Sequence, residues 1–286
     1  MKSRIFATFR ITTILFFRFI AFVVFIFSKK RKPIALKNIN LCFPARTIIE
    51  KQRNRDILKN SFLNLGHAAA DFFLLRFYNK NNIDKYLKVT GFEHLQVALK
   101  KNKGLIFSTA HFGSCELAAH FLALKGLKSL ILYNPIKKPI WFEKFVKNNR
   151  EISGNILVAK QKALLPIYRA LQNKKIVCFL TDQNCIPNDG RRVPLFGHNV
   201  WTHTAFINLS LKTKSPILTG FIFIKNLFEY EIKIFPPLCP EEYEKNDDPE
   251  KAMVLASNKV LECAINKSPE QWMWQHRRFK NINLPV

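Results

Sequence analysis

The sequence predicts an α/β protein in which a mixed central sheet is flanked by helices and a hydrophobic N-terminal helix anchors the chain to a membrane. Three observations predict it. Short apolar runs at 104–110 and 176–180 have the length and continuity of strands buried on both faces. They alternate with segments whose apolar residues recur every three and four positions, the period of helices packed on a sheet. Residues 5–28, IFATFRITTILFFRFIAFVVFIFS, are dominated by Phe and Ile and bracketed by basic residues.

The N-terminal run comes first. Its uncharged part, 19–27, is shorter than the roughly 20 residues that span a bilayer unaided, and Arg18 interrupts the longer stretch. At about 100° per residue, Arg4, Arg10, Arg18, Lys29 and Lys32 share one helix face, opposite a face of Phe, Ile and Val. The pattern suits a helix lying in the interface, or a tilted anchor whose arginines reach up to lipid phosphates. No small-residue cleavage site follows, and Lys29-Lys30-Arg31-Lys32 comes next, which argues against a removed signal peptide. A buried helix of a soluble protein would leave the flanking charges without benefit. The chain therefore divides into an anchor, 1–32, and a catalytic domain, 33–286.

Downstream, 47–78 reads as a helix through Ile57, Leu58, Phe62, Leu65, Ala69, Phe72 and Phe73. A strand at 85–90 and a helix at 92–100 precede the apolar run 104–110, which leads directly into His111. A helix at 114–125, a strand at 128–133, a helix at 139–150, a strand at 156–158 and a helix at 162–171 follow. The strand 176–180 ends at Thr181-Asp182-Gln183, and a long loop passes through Pro194-Leu-Phe-Gly197. A helix near 202–211, strands at 216–224 and 229–235, and a helix at 249–266 complete the series. Sites in such folds lie at the carboxyl ends of strands, where both His111 and Asp182 fall.

Charge narrows the partners. Lys and Arg total 46 against 20 acidic residues, a formal net charge of +26, and the first acidic residue, Glu50, follows ten basic ones. Such a field favours anionic membranes, acidic proteins and phosphorylated substrates. The aromatic residues lie in apolar periodic runs instead of alternating with bases, and no helix-turn-helix or zinc pattern appears, so a nucleic-acid binder is disfavoured. Six cysteines stand without paired or ligand-like spacing, as expected of reduced thiols in a domain facing the cytoplasm.

The chemistry centres on His111-Phe-Gly-Ser-Cys-Glu116. Five residues apart within one helix, His111 and Glu116 would point about 140° apart and could not meet. They can meet only if His111 sits in the turn after a strand and Glu116 one turn into the helix that follows. Gly113 permits the bend and Ser114 can cap the helix. Glu116 would then accept a hydrogen bond from one imidazole nitrogen and leave the other as a base. The helix N-terminus would disfavour the imidazolium. A histidine and a glutamate at this spacing also arise by chance, and the surrounding blocks decide the matter.

With those blocks the chain resembles the bacterial lipid A biosynthesis late acyltransferases, within the lysophospholipid acyltransferase superfamily. The resemblance runs through Asn40-Leu-Cys-Phe-Pro44, the His-x4-Glu box, Arg150 ahead of a glycine, Thr181-Asp-Gln183, Val193-Pro-Leu-Phe-Gly197, Thr202 and Pro269-Glu-Gln-Trp-Met-Trp-Gln-His-Arg-Arg-Phe-Lys280. The family's box usually reads His-x-Gly-Asn-Trp-Glu; here Ser114 and Cys115 replace Asn and Trp, and Trp201 stands where a smaller residue is usual. The resemblance implies transfer of a fatty acyl chain from acyl carrier protein to a hydroxyl on a lipid A precursor at the bacterial inner membrane. His111 would be the base and Glu116 its support. Arg150 would steady phosphate or developing charge, and Asp182 would assist by holding Arg150. Arg277 and Arg278 are expected to contact substrate or lipid headgroups, with Trp272 and Trp274 as core or interface anchors. Acyl carrier protein, a phosphorylated glycolipid acceptor and anionic lipids are the implied partners. No metal or nucleotide cofactor is required.

Three other readings remain at this stage. A glycerophospholipid acyltransferase shares the His-x4-acid box. Cys115 beside His111 could act as the nucleophile of a thiol hydrolase. A basic membrane binder without enzymatic activity would need neither residue.

Overall fold

The computed structural model describes residues 2–280 and 282. An N-terminal helix α1 (Lys2–Phe27) is followed by α2 (Arg31–Cys42) and the long α3 (Ile48–Leu74). The start of α3 is fixed by a capping box: Thr47 Oγ1 accepts from the Glu50 amide, while Glu50 Oε2 accepts from the amides of Thr47 and Arg46. There follow β1 (Leu87–Thr90), α4 (Phe92–Lys100), β2 (Leu105–Thr109), α5 (Cys115–Leu124), β3 (Ser129–Tyr133), α6 (Ile140–Glu151), β4 (Ile156–Ala159), α7 (Leu164–Gln172) and β5 (Ile176–Leu180). The chain continues through β6 (Gly190–Leu195), β7 (His198–His203), α8 (Ala205–Thr213), β8 (Ile217–Ile224), β9 (Tyr230–Ile234) and α9 (Pro249–Lys267).

Seven strands form one sheet in the order β1-β9-β8-β2-β5-β3-β4. Every neighbouring pair is parallel except β8–β9, which makes the sheet mixed, as the sequence predicts. Both faces are covered. Along β2, Leu105 and Phe107 join a core built with α1, α3, α4 and α5, while Ile106 points the other way, into a core shared with α7, α8 and α9. Alternating side chains that are all buried give the unbroken apolar run seen at 104–110.

Two segments depart from the expectation. The predicted loop through 194–197 is the turn of an antiparallel hairpin, β6–β7, whose last paired residues are Leu195 and His198. Phe196 and Gly197 both have positive φ, 50° and 75°, as a two-residue type I′ turn requires. Phe at the first turn position, where Asn or Asp is usual, hides the signal. Helix α2 was not anticipated, because its buried residues, Ala35, Asn38, Ile39 and Leu41, include a polar one that blurs the stripe. Asn38 donates to the carbonyls of Trp274 and His276 at 2.8 and 2.7 Å and ties α2 to the C-terminal segment.

Helix α1 corrects a third expectation. Residues 5–27 are long and apolar enough to cross a membrane and form a candidate anchor. The basic face, however, is the face packed against protein. Arg10, Ile14, Phe17, Ala21 and Phe25 recur at helical spacing against α3 and the sheet. Arg10 is 1% exposed, donating to Tyr78 Oη at 2.6 Å, Tyr230 Oη at 2.7 Å and the Leu227 carbonyl at 2.5 Å. It does not reach for phosphates. Arg18 lies 3.4 Å from Asn64 Oδ1 on α3, and the side chain of Arg4 lies outside the described residues. Phe16, Phe19 and Phe27 occupy the exposed side. Gly66 makes the close α1–α3 approach possible, since a Cβ there would fall 2.5 Å from the Phe17 carbonyl oxygen.

Candidate active site

Strands β2 and β5 are neighbours, and Thr109 at the end of one pairs with Leu180 at the end of the other. Two residues past each end stand His111 and Asp182. The sheet's register therefore brings together residues 71 apart in sequence. His111 Nδ1 lies 2.9 Å from Asp182 Oδ1, and the His111 amide donates to Asp182 Oδ2 at 3.1 Å. The indole Nε1 of Trp272 donates to the same Oδ2 at 2.9 Å. Asp182 is thus buried but receives three N–H groups, two of them from one histidine. With Nδ1–H directed at the carboxylate, the His111 Nε2 lone pair is free to act as a base; the Gln183 amide nitrogen lies 3.5 Å from it.

The turn after His111 is held from several sides. Gly113 adopts φ +52°, and a Cβ there would sit 2.1 Å from the Ile222 carbonyl oxygen, so only glycine fits. The Gly113 amide donates to the Gln271 carbonyl at 2.9 Å, and the Met273 amide donates to the His111 carbonyl at 3.0 Å. Ser114 occupies the position before α5, yet its hydroxyl does not cap the helix. It donates instead to Asp71 Oδ2, inside α3.

Glu116 stands elsewhere than expected. No hydrogen bond joins it to His111 among the described residues. Its Oε1 accepts from Arg150 Nε at 2.9 Å and Nη2 at 2.5 Å. The expected partners are exchanged: Asp182 orients the imidazole, and Glu116, not Asp182, holds Arg150. The reason is topological. The side chain of Glu116, in the first turn of α5, leans towards the last turn of α6, whereas β5 delivers Asp182 alongside His111.

The electrostatics follow. Burial alone would lower the His111 pKa, but the charge and hydrogen bond of Asp182 override it and hold the imidazole above its ordinary 6.5, with Glu116 adding to the rise and Arg150 opposing it. This runs against the expectation that the helix terminus depresses it. Burial would raise Asp182; His111 and the Trp272 N–H overcome that and keep the carboxyl below its ordinary 3.8. Arg150 is desolvated, which lowers its pKa, yet Glu116 more than compensates and the guanidinium stays charged.

His111, Cys115, Glu116 and Arg150 line one cleft of about 500 Å³, walled by Leu65, Ala68, Ala69, Phe72 and Phe73 of α3 and by Phe142 and Val146 of α6. Its floor carries charge and its walls are apolar, which suits a polar reacting centre attached to a hydrocarbon chain. Cys115 is a poor nucleophile here, because burial and then the neighbouring carboxylates of Glu116 and Asp182 push its thiol far above the ordinary value.

The two C-terminal arginines separate. Arg277 is exposed. Arg278 is 1% exposed and donates to the Trp201 carbonyl and to Thr202 Oγ1, the latter at 2.7 Å, so it braces β7 and is closed off from headgroups. Desolvation lowers its pKa to about 10. Trp272 and Trp274 are both core residues, their rings 4.6 Å apart.

Sequence reasoning missed the role of Trp272 against Asp182 and passed over Asp71. The latter carried a usable signal. It is an acid within His67-Ala-Ala-Ala-Asp-Phe-Phe73, on an otherwise apolar stretch of helix, where a charge is retained only if paired.

A histidine oriented by a buried carboxylate, opening on an apolar cleft beside an ion-paired arginine, on a mixed α/β sheet, suits an enzyme that handles an acyl chain. The chain belongs to the bacterial lipid A biosynthesis acyltransferase family, whose model matches residues 9–281. It is 28% identical over 256 residues to the lipid A biosynthesis palmitoleoyltransferase of Escherichia coli (strain K12), covering 89% of this chain and 80% of that protein. It is 26% identical over 258 residues to the lauroyltransferase of the same organism, with the same coverage. The myristoyltransferase of that organism is 23% identical over 248 residues, 86% of this chain and 74% of that one. As a member of that family the protein is an acyltransferase.

Proposed function

We propose that the enzyme moves a fatty acyl chain from acyl carrier protein to a hydroxyl on a phosphorylated lipid A precursor of the (Kdo)2-lipid IVA type, at the cytoplasmic side of the inner membrane. The observation that carries this reading is His111, fixed through Nδ1 by Asp182 with Nε2 on the cleft. Nε2 takes the proton of the acceptor hydroxyl as its oxygen attacks the thioester carbonyl. Asp182 supports the imidazolium that forms. The tetrahedral oxyanion is met by amides at the start of α5, collapse expels the carrier thiolate, and the imidazolium returns its proton to that sulfur. Arg150, aimed by Glu116, faces the phosphorylated acceptor or the developing charge. Every step is a proton or acyl transfer that side chains can perform, so no cofactor enters beyond the acyl carrier protein that brings the chain.

The test is an assay of the purified enzyme with defined acyl carrier protein thioesters and a phosphorylated 3-hydroxyacyl disaccharide, read by mass spectrometry. The expected product is the acceptor heavier by one acyl group, lost in His111→Ala. Acylation of lysophospholipid but not of the disaccharide would overturn the assignment of acceptor.

A further inference from the structure

Helix α6 presents a surface that acyl transfer does not use. Ile140 and Trp141, in its first turn, are 67% and 70% exposed. Lys137, Lys138, Lys144 and Lys147 surround them, all exposed. The nearest acid on the helix, Glu143, is turned inward, accepting from Tyr133 Oη at 3.0 Å and from the Ile136 amide at 2.7 Å. The outer face of α6 therefore combines large apolar side chains with unopposed positive charge.

This patch is continuous with the apolar face of α1. Ring contacts run from the exposed Phe16 to Phe17 at 5.8 Å, on to Phe73 at 5.0 Å, to Phe145 at 5.3 Å, to Phe142 at 6.3 Å and to Trp141 at 5.7 Å. Phe73 and Phe142 in that chain also line the cleft that holds His111. The aromatic path thus joins the candidate anchor, the mouth of the cleft and the exposed tryptophan.

We propose that α6 is a second membrane contact. Trp141 and Ile140 enter an anionic leaflet, the four lysines meet its headgroups, and the cleft mouth opens onto lipid between α1 and α6. An amphipathic helix with bases beside Trp and Ile is the form that binds in an interface, and Trp is favoured at headgroup depth. An acidic protein would match the lysines but would leave Ile140, Trp141 and the path to α1 without a purpose. The proposal goes beyond the acyl-transfer reading and is independent of which chain or acceptor the enzyme uses.

The experiment uses the full chain reconstituted in vesicles of phosphatidylethanolamine and phosphatidylglycerol whose acyl chains carry bromine. The expected result is a component of tryptophan quenching that is present in the wild type and absent in Trp141→Phe. That component should fall at least about two-fold when Lys137, Lys138, Lys144 and Lys147 are all changed to Gln, or when phosphatidylglycerol is omitted. Equal quenching of wild type and Trp141→Phe overturns the proposal, as does a component indifferent to both the lysines and the anionic lipid. If the lysine variant instead shows only a raised KM for the acyl carrier protein thioester, the patch serves that acidic protein and the lipid contact is rejected.

Discussion

Two histidine–aspartate pairs flank the turn between β2 and α5, and they behave in opposite ways. In the first, His111 and Asp182 touch directly at 2.9 Å, and the histidine is partly open to the cleft. Each partner stabilises the charged form of the other, so the imidazole is held up and the carboxyl held down. In the second, His67 Nε2 and Asp71 Oδ2 are 3.7 Å apart and fully buried, and Tyr230 stands between them. The Tyr230 hydroxyl donates to Asp71 Oδ1, so its oxygen must accept from both Arg10 and His67 Nε2. His67 is consequently neutral with its proton on Nε2. Burial, then Arg18 and Arg10, push its pKa down to about 3, while burial raises Asp71 to about 6 against the hydrogen bonds of Ser114 and Tyr230. Direct contact and solvent access leave one pair able to exchange a proton; dehydration and a nearby arginine make the other a strut.

The largest test of that contrast is Asp182→Asn. The amide cannot stabilise the imidazolium, so the rate should fall by about 10²–10⁴-fold. The base must be unprotonated, and Asp182 raises its pKa, so the acid limb of the pH–rate profile should also move to lower pH. A limb that stays in place would deny Asp182 its hold on His111. Glu116→Gln comes next: it frees Arg150, with KM for the phosphorylated acceptor rising by roughly ten-fold. The limb should move in the same direction as in Asp182→Asn but by less, since the change removes the smaller upward push of Glu116 and leaves that of Arg150 downward. A shift as large as that of Asp182→Asn would restore Glu116 as the partner of His111.

The buried pair is tested through stability. The depressed His67 stabilises the fold above its ordinary 6.5, and this is lost as pH falls towards about 3. The raised Asp71 acts oppositely: its contribution is present below 3.8 and lost as pH rises through about 6. The two offset each other between those two Asp71 values, where the upward slope from His67, at most about 1.4 kcal/mol per pH unit, cancels the downward one from Asp71. His67→Gln should remove that slope and leave stability falling as pH rises from 4 to 6, read as thermal midpoints in detergent. An unchanged profile would mean that His67 is already charged. The smallest effect is expected of Cys115→Ser, within about three-fold of wild-type rate, because a thiol so far from ionisation contributes no nucleophile. Abolished activity with a trapped thioester would reopen the covalent route.

Much of this was legible in the chain. Strand–helix alternation gave the sheet, and the strand-end rule placed His111 and Asp182 at the same edge. What the sequence could not supply was which strands are neighbours. Local spacing favoured Glu116, five residues away, but β2–β5 adjacency set Asp182 beside the imidazole from 71 residues away. The basic stripe of α1 was visible too, and its direction was not. A line of arginines on an apolar helix reads equally as facing phosphate or facing buried phenols, and only Tyr78 and Tyr230 decide it. Arg278 hid in the same way, its neighbours Trp201 and Thr202 lying far back in the sequence.

The strap formed by Gln271, Trp272 and Met273 sets an order of events. These residues hold the main chain at His111 and Gly113 and the carboxylate of Asp182, all of which precede them by some ninety residues or more. Chains emerge from the ribosome N-terminal end first and begin to fold as they emerge. The candidate anchor helix is therefore available well before the segment that closes the turn at His111. During synthesis the apolar N-terminal helix is thus free to meet a lipid surface while the pairing of His111 with Asp182 still lacks its brace.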